Sequence, residues 1–245
     1  MPPSLIQSCS SGALLILLMA NLFLWEKVSS APINPSETTL NDLKDLFDNA
    51  TVLSGKMAEL GFAMRKEFFS NSFSSDIFTN IILDLHKSKE NIIKAFNSCH
   101  TVPINFPETP EDIRTTSFEE FLKMILQTLL AWKDPLQHLV TELSALPGCP
   151  YSILSKAKAI EAKNKDLLEY IKRIISMVNP AIKENEDYPI WSDLDSLQAA
   201  DKEIQLFALY MFSFCLRSDL ESLDFLVNLL KCLLLYNDNV CYSGF

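Results

Sequence analysis

Residues 201–236, DKEIQLFALYMFSFCLRSDLESLDFLVNLLKCLLLY, decide the fold. Leu206, Phe207, Leu209, Met211, Phe212, Phe214, Leu216, Leu220, Leu223, Leu226 and Leu230 cover most sides of a helix, and neither glycine nor proline interrupts it. Such a stretch is either a membrane span or the most enclosed helix of a bundle. Arg217, Asp219, Glu221, Asp224 and Lys231 decide between the two, because each charge at bilayer depth costs roughly 2.5–3.5 kcal/mol. The stretch reads as the innermost helix of a helical bundle.

Working back towards the N-terminus, further helical stripes supply its partners. One runs from Ser152 to Val178 and stops at the Asn179-Pro180 pair. Before it, Phe118, Leu122, Ile125, Leu129, Trp132, Leu136, Leu139 and Leu143 keep the helical period, with Thr116 and Glu119 spaced as a capping box. Pro135 falls inside this stripe, which continues in phase, so the expectation is a kink and not an end. The earliest stripe begins near Leu40 and includes Leu43, Leu46, Phe47, Ala50, Leu53, Met57, Leu60, Met64 and Phe68. A shorter one, Asp76 to Phe96, follows it. Pro103, Pro107 and Pro110 make 99–114 an extended loop, and a second long connection, 180–200, precedes the last helix. Four long helices with two long crossovers predict an all-α, up-up-down-down, long-chain four-helix cytokine bundle, since parallel neighbours need connections that travel the length of the bundle.

Ala13 to Trp25, ALLILLMANLFLW, is an uncharged apolar run too short to span a membrane comfortably and placed where a secretory leader has its core. Val28 and Ser30 offer the small residues a signal peptidase needs, so residues 1–30 read as a removed signal peptide and 31–245 as the mature domain, exported through the endoplasmic reticulum with no membrane insertion after cleavage. The net charge of −10 argues against a nucleic-acid partner, which calls for a basic stripe, and points to protein or carbohydrate-reading partners.

Cys9 leaves with the leader, so Cys99, Cys149, Cys215, Cys232 and Cys241 remain, an odd number in a setting that favours disulfides. A Cys232–Cys241 bond would close a small C-terminal loop. A Cys99–Cys215 bond would tie the start of the first crossover to the last helix, closing a loop worth on the order of 4–5 kcal/mol in chain entropy. Cys149, in ALPGCPY, is then unpaired, either a free thiol or the link of a dimer of an otherwise monomeric protein. No G-x-S-x-G, phosphate loop, H-E-x-x-H or C-x-x-C is present, and His86, His100 and His138 are scattered, so nothing suggests an enzyme, a cofactor or a metal site.

Cys99-His100-Thr101 with PETPED after it, Trp132 to Leu143 (WKDPLQHLVTEL), ILSKA at 153–157, KENEDYPIW at 183–191 and Cys215-Leu-Arg-Ser-Asp219 resemble signatures of the prolactin and growth-hormone family, over essentially the whole mature chain. That resemblance implies the same bundle and agrees with the cysteine pairing above. DLFDNATVLSGKM at 45–57, ILDLHKS at 82–88, AFNSCHTVPIN at 95–105 and LLLYNDNVCYS at 233–243 look like the proliferin branch of rodent placental hormones.

Membership implies a hormone that cross-links receptor chains through two faces. The first joins the first and last helices and uses basic residues, of which Arg217 and Lys231 stand at matching places, whereas Glu221, Ser222 and Asn228 replace bases. An acid in place of a base reverses local complementarity and costs specificity and on-rate. The second face is a cleft floored by a glycine in the motif LLEG, and here the sequence reads Leu167-Leu168-Glu169-Tyr170, whose phenol ring is expected to fill it. Both departures point away from the prolactin receptor. The proliferin likeness implies instead endothelial migration, blood-vessel growth and a contact with the mannose 6-phosphate receptor through N-linked glycans. Asn49-Ala50-Thr51 is the intact sequon, whereas Asn34-Pro35-Ser36 is blocked by its proline and Asn91-Ile92-Ile93 lacks a hydroxyl. The alternative function is a secreted binding protein that occupies a receptor without dimerising it.

Overall fold

The computed structural model describes residues 37–107, 109–183, 187–235 and 241. The leader expected at 1–30 lies outside them, as do residues 184–186 of KENEDYPIW. The packing described below lies within residues 42–245. Among the described residues the regular structure is helical: α1 (Glu37–Ser70), α2 (Ser75–Leu85), α3 (Lys89–Asn97), α4 (Pro110–Thr115), α5 (Phe118–Ala145), α6 (Tyr151–Val178), α7 (Leu194–Leu197) and α8 (Lys202–Leu235), with a 3₁₀ turn at Val102–Ile104.

The directions of the long helices follow from which residues meet. Asp48 pairs with Lys231, Ser54 with Asp224, and Arg65 with Tyr210 and Ser213, so α1 and α8 are antiparallel. Glu67 meets Lys156, and Asn49 to Leu53 face Asp166 to Arg173, so α1 and α6 are antiparallel too. The Asn164 amide donates to the Leu129 carbonyl and Asn179 donates to Glu119, which sets α5 against α6. Hence α1 and α5 run one way while α6 and α8 run the other. This is the up-up-down-down bundle that two long crossovers require.

Local signals explain the boundaries. α5 is opened by a capping box one residue later than the spacing suggests: Ser117 accepts from the Glu120 amide and Glu120 takes the Ser117 amide. Thr116 instead ends α4, a short helix inside the crossover expected to be extended. Pro110 lies in the first turn of α4, where its missing N–H costs nothing, and Thr109 with Asp112 forms the cap, so the proline starts a helix and does not prevent one. The stripe over 76–96 is two helices, because Ser88 takes an extended conformation and caps α3 through the Asn91 amide. α5 passes through Pro135 as one helix.

The apolar stripes form a single core in which Phe47, Phe68, Phe121, Leu129, Trp132, Ile160, Leu167 and Leu216 are almost wholly enclosed. α1 and α8 approach closely at Gly61, where an added Cβ would stand 2.9 Å from Leu220 Cδ1. Each charge that interrupts α8 has a partner. Arg217 pairs with Glu221, Asp219 accepts from Thr101 and Trp132, Asp224 accepts from Ser54, and Lys231 pairs with Asp48. No helix of the described residues is long and apolar enough to cross a membrane.

Candidate functional site

The Cys99-His100-Thr101 and Trp132 motifs come together as a staple that holds the first crossover on the bundle. Cys99 is bonded to Cys215 of α8, with their Cα atoms 5.5 Å apart. The His100 ring stands edge-on to Trp132 with centroids 4.7 Å apart, and its Nε2 lies 3.2 Å from the Ala131 carbonyl. Burial lowers the His100 pKa, which keeps the imidazole neutral and suits donation to that carbonyl. The Thr101 hydroxyl and the Trp132 indole both donate to Asp219 Oδ2, at 2.6 and 2.7 Å. These residues are therefore structural. Cys232 is bonded to Cys241.

The α1–α8 face carries three of the candidate receptor residues. Arg217 Nε lies 2.9 Å from Glu221 Oε1 one turn on, and the same guanidinium sits 5.0 Å above the Phe62 ring. Lys231, about 21 Å further along α8 at 1.5 Å per residue, is drawn to Asp48 Oδ1 at 2.6 Å, and that hydrogen bond lowers the Asp48 pKa. Both bases are thus neutralised within the molecule. Beside Arg217, and away from Lys231, lies a groove of about 530 Å³, walled by Phe62, Phe96, Phe214, Arg217 and Glu221 and by apolar residues of α2 and α3.

Arg65 forms the floor of that groove and is not among the residues the sequence singles out. It is 7% exposed, donates to the Tyr210 carbonyl and to Ser213 Oγ, and lies within 5.3 Å of the ring centroids of Phe69, Tyr210 and Phe214. Burial lowers its pKa, and the three ring faces replace part of the lost hydration. The only signal available in sequence is the spacing of Tyr210 and Phe214, which puts two aromatics on one turn of a helix face.

Tyr170 and Asn49 share a second groove, of about 410 Å³, between α1 and α6. Val52, Leu53, Asp166, Glu169 and Arg173 complete it. Tyr170 is half-buried against the core, whereas Asn49 is exposed and donates through Nδ2 to the Asp45 carbonyl at 2.8 Å.

Cys149 is the free cysteine among the described residues and is half-buried. Burial, with the Glu67 carboxylate second, pushes its thiol up to about 11. Only the thiolate attacks, and its higher intrinsic reactivity recovers part of the loss. Alkylation by iodoacetamide at pH 7.5 is therefore expected to run on the order of tenfold slower than for a free cysteine. The labelling rate should still be climbing above pH 10; a plateau reached near pH 9 would show that the thiol is not held up. No three His, Cys, Asp or Glu residues among those described are grouped to hold a metal ion.

The model of the somatotropin hormone family matches residues 17–241. The chain belongs to the somatotropin hormone family. Its members are hormones and not enzymes, and they bind cell-surface receptors. Among curated relatives, mouse prolactin-7D1 is 81% identical over 245 residues, covering 100% of both chains. Mouse prolactin-7C1 is 47% identical over 93% of this chain and 91% of its own length, and mouse prolactin-7B1 is 43% identical over 95% and 93%. These relatives correct one expectation: the chain is similar to prolactin-7 proteins and does not sit in the proliferin branch. The reason lies in what the quoted stretches hold. Phe47, Ala50, Met57, Cys99 and Thr101, in two of those stretches, are buried, and core packing limits what such positions hold whatever the branch.

Proposed function

We propose that the protein is a secreted hormone of the somatotropin family that engages one receptor chain through its α1–α8 face and does not pair two prolactin receptors. The observation that carries this reading is the internal pairing of the basic residues. Arg217 is held by Glu221 and Lys231 by Asp48, so neither offers a bare cation to a partner. What that face presents, with the neighbouring α3, is aromatic, Phe62 of α1 and Phe96 of α3 being about half exposed. Tyr170 supports the second part: it lines the α1–α6 groove without filling it, and a phenol in that wall narrows the cleft that a second receptor chain would need. The leader at 1–30 and two disulfides support export through the endoplasmic reticulum.

The mature protein is expected to leave the prolactin receptor ectodomain monomeric in sedimentation velocity at micromolar concentrations. A two-receptor complex would overturn the reading, and its appearance only with Tyr170→Gly would assign the block to that ring. The mannose 6-phosphate receptor contact and the role in blood-vessel growth entered with the proliferin likeness. Their remaining support is the sequon at Asn49. Pull-down by the purified mannose 6-phosphate receptor, before and after glycosidase treatment, tests that narrower reading.

A further inference from the structure

We propose that the α1–α6 groove is a dock for the protein's own carbohydrate: the first N-acetylglucosamine on Asn49 folds back into it and lies on the ring of Tyr170. The inference rests on use of the Asn49 sequon, and it goes further by giving that sugar a seat.

Three observations meet here. The attachment residue is itself part of the wall, since Asn49 and Tyr170 line the same groove. The amide is already oriented: Nδ2 donates to the Asp45 carbonyl at 2.8 Å. A glycosylated amide keeps one hydrogen, the one trans to its oxygen, and the bond to Asp45 survives where that hydrogen makes it. The lining has the chemistry a sugar wants. A pyranose has an apolar face of C–H bonds, which packs on an aromatic ring, and a rim of hydroxyl and acetamido groups. Tyr170, Val52 and Leu53 offer the apolar side, while Asp166, Glu169 and Arg173 offer acceptors and donors at the edge. A volume of about 410 Å³ is near the lower end of the roughly 300–1,000 Å³ of small-molecule sites, the scale of one or two sugar rings. Val52, 63% exposed next to the sequon, is an apolar surface that a sugar would cover.

A docked sugar stabilises only the folded state, so its removal lowers Tm, and the loss depends on the ring beneath it. The experiment compares four forms secreted from mammalian cells: the natural chain, Asn49→Gln, Tyr170→Leu and the double variant, each glycosylated form trimmed by endoglycosidase to a single N-acetylglucosamine. Leucine keeps the apolar contact with the core and removes the flat face, so folding is preserved. With Tyr170 in place, loss of the sugar is expected to lower Tm by about 2–4 °C. In the Tyr170→Leu background the same loss is expected to change Tm by less than about 1 °C. Ring-current shifts of the sugar protons, seen by NMR in the trimmed protein and lost in Tyr170→Leu, give a second readout. Equal Tm losses in both backgrounds, or unshifted sugar protons, overturn the dock and leave the glycan and the proposed function standing. An unmodified Asn49 in the secreted protein overturns dock and sequon together, and sedimentation with receptor remains a separate test.

Discussion

Replacing Cys99 and Cys215 together by alanine is expected to lower the unfolding free energy by about 5 kcal/mol, measured by urea denaturation at pH 7. The bond joins residues 116 apart in sequence, and cross-linking so long a loop removes much of the freedom of the unfolded chain. Both cysteines are buried, and alanine avoids placing hydroxyls in the core. Cys232 and Cys241 are only 9 apart, so their double alanine variant should lose about half as much, roughly 2.5 kcal/mol. This pair of measurements also tests the cause. Similar losses in the two variants would mean that the folded-state contacts of the crossover, and not loop entropy, set the cost.

Between pH 4 and pH 6 the stability of the natural protein is expected to fall by about 2 kcal/mol relative to Asp219→Asn. Asp219 is 6% exposed and, among the described residues, makes no ion pair with a cation. Burial raises its pKa to about 6, and the hydrogen bonds from Thr101 and Trp132 only partly oppose this. Its folded pKa therefore lies above the unfolded one. In the window between them the folded state holds the extra proton, so this contribution is complete below about pH 4 and is lost as pH rises through 6. His100 titrates near the same cluster with a lowered pKa, which acts in the opposite sense, but both proteins carry it and the difference removes it to first order. Urea melts of the two proteins at pH 4, 5, 6 and 7 make the comparison, and parallel curves would show that folding does not raise the Asp219 pKa.

The four long helices were legible because their stripes are long and in phase, and burial falls on the same positions, from Leu43 and Phe47 to Leu223 and Leu230. Elements shorter than the helical repeat can reveal were not. The break at Ser88 and the helix at Pro110–Thr115 depend on single caps, and a stretch with three prolines looks extended until one of them is seen to sit at a helix start. Charge was legible as an argument against a membrane but not as geometry. That Asp219 turns inward while Glu221, two residues away, turns outward depends on Thr101 and Trp132, which come from elsewhere in the chain. Arg65 was invisible for the same reason, since its rings at Tyr210 and Phe214 lie on a helix 145 residues distant. The proximity of Asn49 and Tyr170 likewise needs the antiparallel register of α1 and α6.

An odd cysteine is a hazard to its neighbours, because a thiolate in the same molecule can attack a finished disulfide and scramble it. Burial, with the Glu67 carboxylate second, keeps the Cys149 sulfur protonated in the folded chain. The native pairing is thereby shielded from its nearest internal rival, and four cysteines taken alone have only three ways to connect. Correct bonding, once reached, has little chemistry left to undo it.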